Sequence, residues 1–188
     1  EQDGKAVPPI VSKLLSSGNS SFYKSAQGRA SYFDLASAKH QPVPDAPGVI
    51  FLKALREQSK VVETNSGASL IDLGDGVVCC EFHSKMNALG SDAIGMLATA
   101  AKEAGAHFDA LVIGNQGEHF SAGANLMLIL LGAQEEEWDD LDLIVRQFQG
   151  ANMGLRYADL PVVAAPFGLT LGGGCEVSLH CDRVRASA

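Results

Sequence analysis

The sequence lacks any apolar run long enough to cross a bilayer, so a membrane-spanning protein is not expected. Its first residues, EQDGKAVPPIV, have neither the basic start nor the sustained apolar stretch of a secretory signal. Basic residues are also few: 14 Lys and Arg stand against 22 Asp and Glu among 188 residues, a formal net charge of -8. Proteins bind nucleic acids and anionic membranes through basic stripes, and this sequence has none. Both are therefore excluded as general partners. We predict a soluble, cytoplasmic protein.

The four cysteines lack the spacing of a metal site. Cys79 and Cys80 are neighbours in a strand-like run, so their side chains are expected on opposite faces. Cys175, His180 and Cys181 do not have the paired spacing of zinc ligands. No structural metal is therefore expected.

Three other kinds of site have little support. His83, His119 and His180 are well separated and no nucleophile elbow is present, which disfavours a hydrolytic triad. Cys175 is predicted to be a small buried packing residue rather than a nucleophile. No G-x-G-x-x-G follows a predicted strand, which disfavours dinucleotide binding.

Residues 1–60 are polar and frequently interrupted. PPIVSKLLSSG predicts a short helix that starts at a proline and stops at Gly18. QPVPDAPG contains three of the seven prolines and is typical of a linker. This part is therefore predicted to be a short helical and irregular segment followed by a linker.

From Ser69 onward, strand and helix patterns alternate. SLIDL and VVCCEF flank a GDG turn and predict a hairpin, while DALVIG and PVVAAP predict buried strands. Helices are predicted over Asp92–Ala104, with Ser91 as N-cap, and over Glu135–Ala158, with acids in the first turns and an apolar stripe. DRVRASA begins a further predicted strand. The alternation favours an α/β fold with parallel pairing.

Two glycine loops connect a buried strand to a helix: FSAGANL after DALVIG and LGGGCE after PVVAAP. Such a loop leaves free backbone N–H groups at the helix N-terminus, and glycine lets a ligand approach them. One amide from each loop could hold a single oxygen as it gains negative charge. Glu176, about one turn into the second helix, is placed to act as a general acid or base. The alternative is a first-turn acid that only stabilises its helix.

These loops resemble motifs of the enoyl-CoA hydratase/isomerase (crotonase) superfamily. FSAGANL resembles its FxAGxDL stretch, PVVAAPFGLTLGGGCEVSLHCDRVRASA resembles its GGGxE and CD signature, and HSKMNAL resembles its RPxxxNAL element. The resemblance covers about Ser69 to Ala188. It implies a crotonase-like ββα spiral core whose C-terminal part is missing, and we expect the chain to be a fragment.

The resemblance also implies a site for a coenzyme A thioester. The Ala124 and Gly173 amides would polarise the thioester carbonyl, and Glu176 matches the first catalytic glutamate. The residues at positions that contact coenzyme A and pantetheine in the family are Lys85, Met86, Ala122, Gly123, Asn125, Leu126 and Gly172. No metal and no cofactor are implied in this portion.

The sequence departs from the family pattern at two places. Asn125 replaces an aspartate, and His83 and Ser84 stand where Arg-Pro is common. With these features the chain resembles the hydratase-like portion of fused 3-hydroxyacyl-CoA dehydrogenases. Residues 1–60 then resemble the tail of a dehydrogenase portion with a linker, and residues 61–188 the N-terminal part of a hydratase domain. NAD would bind the dehydrogenase portion of the parent.

The activity implied is the hydration of 2-enoyl-CoA in fatty-acid β-oxidation. The family's hydratases use a second glutamate at a position beyond the last residue of this chain. A double-bond isomerase or another reaction of CoA thioesters stays open, as does a non-catalytic CoA-binding or assembly module. A homo-oligomer is also left open, and the acyl chain length is not indicated.

Overall fold

The computed structural model of the chain describes residues 6–26, 29–44 and 47–187. The chain divides into two compact units, Glu1–Ser59 and Lys60–Ala188. The site motifs all belong to the second unit.

The first unit contains a small antiparallel sheet and two short helices. Its elements are α1 Pro9–Ser16, β1 Tyr23–Ala26, β2 Arg29–Asp34, β3 Lys39–Pro42 and α2 Leu52–Glu57. The strands pair in the order β1-β2-β3. Phe33 on β2 is buried, and its ring packs edge-on against Phe22 and His40. These aromatic contacts give the small sheet a core of its own.

Helix α1 starts at the predicted proline, but the sheet was not predicted. Strands such as KHQP have no apolar alternation that would distinguish them from a loop. Gln41 and Pro42 of the predicted linker belong to β3, and its residues 45 and 46 lie outside the described residues.

The second unit is built on a six-stranded sheet in the order β4-β5-β6-β7-β8-β9. The strands are β4 Val61–Thr64, β5 Ala68–Gly74, β6 Val77–Phe82, β7 Ala110–Gly114, β8 Val162–Ala164 and β9 Arg183–Val184. β4, β5 and β6 pair antiparallel, whereas β6 to β9 pair parallel. The predicted hairpin and the predicted parallel strands are thus confirmed.

The helices of this unit are α3 Ser91–His107, α4 Leu126–Gln134, α5 Trp138–Arg156 and α6 Gly173–Leu179. Helix α3 is longer than predicted at its C-terminal end. Its N-cap is Gly90 rather than Ser91, and no side chain caps the helix. Ser91 is instead the first helical residue.

The helix predicted from Glu135 begins three residues later, at Trp138. The backbone of Glu136 has a left-handed φ of 59°, which breaks the helical path. The Glu137 N–H donates to the Gly132 carbonyl over 2.8 Å. Glu135 to Glu137 therefore form a tight turn that folds α4 back against α5.

One face of the sheet packs against α3, which packs in turn against α5, and together they form the core. Its fully buried side chains include those of Leu70, Val78, Cys80, Phe82, Leu97, Leu111, Ile113, Phe120, Leu155, Val162 and Val177. Burial raises the pKa of the Cys80 thiol and raises that of Cys79 to about 12. These two cysteines are packing residues.

Within the described ranges, no helix is long and apolar enough to span a membrane. The same residues contain no group of three or more His, Cys, Asp and Glu side chains arranged to hold a metal ion.

We expect the substitution Leu97→Ala to lower the free energy of unfolding by about 3 kcal/mol, because it leaves a cavity in the core. Leu97 is 0% exposed on α3. The matched control is Leu143→Ala, since Leu143 on α5 is 51% exposed; its effect should stay within about 0.5 kcal/mol. Urea denaturation measures the free energy of unfolding of both variants. Equal losses of stability would contradict the described core.

Candidate active site

Three loops follow the parallel strands β6, β7 and β8 and lie against one another. The first and second loops are joined by two backbone hydrogen bonds. The Ala122 N–H donates to the Met86 carbonyl over 3.1 Å, and the Leu89 N–H donates to the Gly123 carbonyl over 2.8 Å. The segment HSKMNAL is therefore fixed beside the segment FSAGANL.

The second loop is joined to the third through the backbone of Ser121. Its N–H donates to the Leu169 carbonyl over 3.0 Å, and its carbonyl accepts from the Leu171 N–H over 3.0 Å. A Cβ on Gly123, where φ is 86°, would lie 2.8 Å from the Leu171 oxygen. A side chain at this position would push the two loops apart, which explains the glycine.

The side chain of Ser121 also connects the loops. It is 0% exposed, and its Oγ donates to the Asn87 carbonyl over 2.7 Å and accepts from the Gly123 N–H over 3.1 Å. Sequence reasoning missed Ser121, because the Asn87 carbonyl that accepts from its Oγ belongs to a distant segment.

The backbone amides of Ala124 and Gly173 lie at the junction of these loops. Among the described residues, no group accepts a hydrogen bond from the N–H of Ala124 or of Gly173. Gly173 is the first residue of α6, and the φ of 46° at Gly172 turns the chain into that helix. Both residues line one cavity of about 330 Å³, and Glu176 of the first turn of α6 lines it too. Two free amides at one cavity can stabilise an oxygen that gains negative charge.

Most of the remaining cavity wall is apolar and comes from α4, α5 and the start of α3. The apolar side chains are those of Leu89, Ile94, Leu128, Ile129, Ile144, Val145 and Phe148. The polar side chains that line it besides Glu176 are those of Ser91, Asn125 and Gln149. Phe148 lies next to the amide site, since a Cβ on Gly173 would be 3.0 Å from its Cζ. Ile144 and Phe148 were predicted only as part of an amphipathic stripe.

The structure brings four of the predicted site residues to the cavity: Ala124, Asn125, Gly173 and Glu176. The others do not line it: Lys85, Met86, Ala122, Gly123, Leu126 and Gly172. Lys85 and Met86 lie exposed in the short 3-10 turn Lys85–Asn87, and Leu126 starts α4 with 75% of its surface exposed. Any contact of these three with a ligand therefore lies outside the cavity.

Asn125 is the N-cap of α4, and its side-chain oxygen accepts from the Met127 N–H over 3.2 Å. Asparagine and aspartate cap helices equally well, so the loss of the family's charge does not change this local structure.

Cys175, which was predicted to be buried, is exposed. The buried side of the short helix α6 is formed instead by Gly173, Gly174, Val177 and Ser178. The three histidines have separate partners. His83 bonds to Ser69, His119 accepts from the Leu169 N–H, and His180 bonds to the Glu176 carbonyl.

The order of strands and helices, with glycine loops after the parallel strands of a mixed sheet, defines an α/β protein. The sequence model of the family described as Enoyl-CoA hydratase/isomerase matches residues 73–188. The chain belongs to this family, and the predicted crotonase-like α/β fold is confirmed.

Two named relatives are similar to the chain over most of its length. The chain is 43% identical over all of its 188 residues to a Bacillus subtilis (strain 168) protein named "Probable 3-hydroxyacyl-CoA dehydrogenase", and it spans 24% of that protein. It is 31% identical over 81% of its length to a Rickettsia prowazekii (strain Madrid E) protein named "Putative fatty acid oxidation complex trifunctional enzyme", of which it spans 21%. The chain thus spans about a quarter or less of these relatives.

A solved structure shows the same fold. It is an enoyl-CoA hydratase/isomerase from Xanthobacter autotrophicus Py2, which is 27% identical and superimposes with a TM-score of 0.57. The similarity covers 65% of this chain and 46% of that one.

The substitution Gly123→Ala should lower the free energy of unfolding by about 2 kcal/mol or more, because a Cβ meets a backbone oxygen at a left-handed φ. Gly150→Ala is the matched control. Gly150 lies inside α5, and a Cβ there meets nothing within 4 Å. This second change should stabilise the protein by about 0.5–1 kcal/mol. Thermal or urea unfolding gives both values, and a neutral Gly123→Ala would refute the close approach of the loops.

Proposed function

We propose that the chain is part of an enoyl-CoA hydratase domain that adds water to 2-enoyl-CoA in fatty-acid oxidation. The observation that carries the proposal is the meeting of two unpaired amides, of Ala124 and Gly173, with the Glu176 carboxylate at one largely apolar cavity. Membership of the family supports a CoA thioester as the substrate.

In the proposed reaction, the thioester carbonyl oxygen accepts hydrogen bonds from the Ala124 and Gly173 amides. Polarisation draws electrons away from C3 of the 2,3 double bond, so water attacks that carbon. The double-bond electrons move toward the carbonyl, and the oxygen carries the negative charge of an enolate that the amides stabilise. Collapse of the enolate with a proton at C2 gives the 3-hydroxyacyl thioester.

Hydration needs one proton removed from water and one proton delivered to C2. Glu176 is the one acidic residue among the described residues that line the cavity. We assign it one of these two transfers as a general acid or base. Lys85, exposed outside the cavity, is assigned to a phosphate of coenzyme A, because an ammonium group there can pair with it in water.

We further propose that the parent protein also contains an NAD-dependent 3-hydroxyacyl-CoA dehydrogenase portion. The Bacillus subtilis relative bears that activity in its name, and the similarity to it extends over both units of this chain. Residues 1–60 are then the tail of the dehydrogenase portion and its linker. The hydratase product, a 3-hydroxyacyl thioester, is the substrate such a dehydrogenase oxidises.

A double-bond isomerase is the second candidate, because the matched family includes isomerases by its description. Assays of the intact protein with a 2-enoyl-CoA and with a 3-enoyl-CoA separate the two. A non-catalytic module would bind either thioester without turnover.

Replacement of the carboxylate by an amide, Glu176→Gln, is expected to lower kcat for hydration by a factor of about 10² to 10⁴ with little change in thioester binding, because proton transfer is lost. Glu135→Gln is the control, since Glu135 is exposed and does not line the cavity. Loss of crotonyl-CoA absorbance measures the rate. Undiminished activity of Glu176→Gln would overturn the assignment.

The Gly173 amide can be removed by Gly173→Pro, because proline is well accepted at the first position of a helix. We expect this variant to lose a factor of about 10² or more in kcat, since one oxyanion donor is gone. Gly173→Ala is the matched control: it keeps the N–H and places a Cβ against the movable side chains of Phe148 and Leu89. Steady-state kinetics give kcat for both variants. Equal losses would show that the amide itself does not contribute.

A further inference from the structure

The Ala124 N–H belongs to the same peptide unit as the Gly123 carbonyl. The described residues contain no cis peptide bond. A trans peptide unit is planar, and its C=O and N–H bonds point in opposite directions. The Gly123 carbonyl accepts a hydrogen bond from the Leu89 N–H over 2.8 Å. This bond therefore fixes the direction in which the Ala124 N–H points.

The same hydrogen bond also strengthens the Ala124 amide as a donor. A hydrogen bond accepted by a carbonyl polarises its whole peptide unit, so that the N–H becomes more positive. The Gly173 amide has a matching arrangement, since the Gly172 carbonyl accepts from the Glu176 N–H over 3.0 Å. That bond forms with helix α6 itself. The bond to Gly123 needs a donor from another loop, which must be held in place.

The turn before Leu89 has an uncommon backbone conformation. Met86 and Asn87 are both left-handed, with φ of 59° and 50°. Left-handed residues other than glycine are rare, and asparagine is one of the few that adopt this conformation readily. Such a backbone persists when the surrounding contacts hold it. The contacts of this turn therefore set the position of Leu89, two residues beyond Asn87.

Asn87 supplies two of these contacts. Its side chain is buried, and its Nδ2 donates to the His119 carbonyl over 2.8 Å. A carbonyl oxygen can only accept, so this contact requires the amide nitrogen. The Asn87 carbonyl accepts from Ser121 Oγ over 2.7 Å. Both partners precede Gly123 in the same loop, so Asn87 connects the segment of the Leu89 donor to the segment of its acceptor.

We propose that Asn87 is a positioning residue for the Ala124 amide. It holds the Leu89 N–H against the Gly123 carbonyl, and this peptide unit in turn aligns the Ala124 N–H and strengthens it as a donor. Asn87 does not line the cavity, so no contact with the substrate is assigned to it. The inference rests on the proposed function only in placing a thioester carbonyl at the Ala124 and Gly173 amides.

The substitution Asn87→Asp tests the side-chain donor. A carboxylate has nearly the same shape and also adopts the left-handed conformation, but it cannot donate to the His119 carbonyl. Infrared spectroscopy of the intact protein with a bound saturated acyl-CoA, isotopically labelled at the thioester carbonyl, measures how strongly that carbonyl is polarised. Binding to the unaltered protein should lower the carbonyl frequency. Asn87→Asp should lose about half of this shift, because one of the two donors is displaced.

Kinetics give a second readout. In the hydration assay, kcat of Asn87→Asp should fall by a factor of about 10 to 10² with little change in KM, because the affected hydrogen bond strengthens as the oxygen gains charge. Asn87→Gly removes the side chain and keeps a residue that accepts the left-handed conformation. It should show the same losses of carbonyl shift and of kcat.

Asn115→Asp is the matched control. Asn115 Nδ2 donates to the Phe120 carbonyl over 2.9 Å in the same loop, and its side-chain oxygen accepts from the Gly117 N–H. The control therefore loses a bond of the same kind without touching the turn before Leu89. Its melting temperature should fall as that of Asn87→Asp does, while its carbonyl shift and kcat should stay unchanged.

The outcomes separate this inference from the proposed reaction. A carbonyl shift that both Asn87 variants retain, or that Asn115→Asp loses equally, overturns the inference even if hydration is observed. A shift that depends on Asn87 in a protein that does not hydrate 2-enoyl-CoA retains the inference and overturns the reaction. A bound thioester without any shift in the unaltered protein overturns both.

Discussion

The two free amides depend on a close approach between the loop after β7 and the loop after β8. A Cβ on Gly174 would lie only 2.7 Å from the Cβ of Ser121, so this contact requires a glycine. Ser121 is held from the other side by Asn87 and Gly123. The three consecutive glycines therefore have different tasks: Gly172 turns the chain, Gly173 offers its amide, and Gly174 permits the packing that positions it.

The cavity offers no side-chain cation to an anionic intermediate, since no Lys or Arg is among the described residues that line it. In the proposed reaction, the Ala124 and Gly173 amides supply the stabilisation, and the loops orient them before a substrate binds. Apolar side chains from α4 and α5 lie beside the same point.

The local sequence pattern predicted most of the strands and helices of the second unit. The hairpin, the buried parallel strands and the helix after β6 all followed from apolar periodicity and glycine turns, and so did the two loops that carry Ala124 and Gly173. What the sequence could not predict depends on tertiary contact. Ser121 connects three segments that are distant in sequence, and α5 becomes a cavity wall only because the turn before Trp138 folds α4 back on it. The sheet of the first unit was missed because its short strands are mostly polar.

The most direct test of the two-amide site is the absorbance of a conjugated, aromatic 2-enoyl-CoA bound to the intact protein. Two hydrogen bonds to its carbonyl oxygen polarise the chromophore, so we predict a shift to longer wavelength on binding. The shift should persist in Gly173→Ala and decrease strongly in Gly173→Pro. Saturated binding without a shift, or an equal shift in the proline variant, would contradict the account.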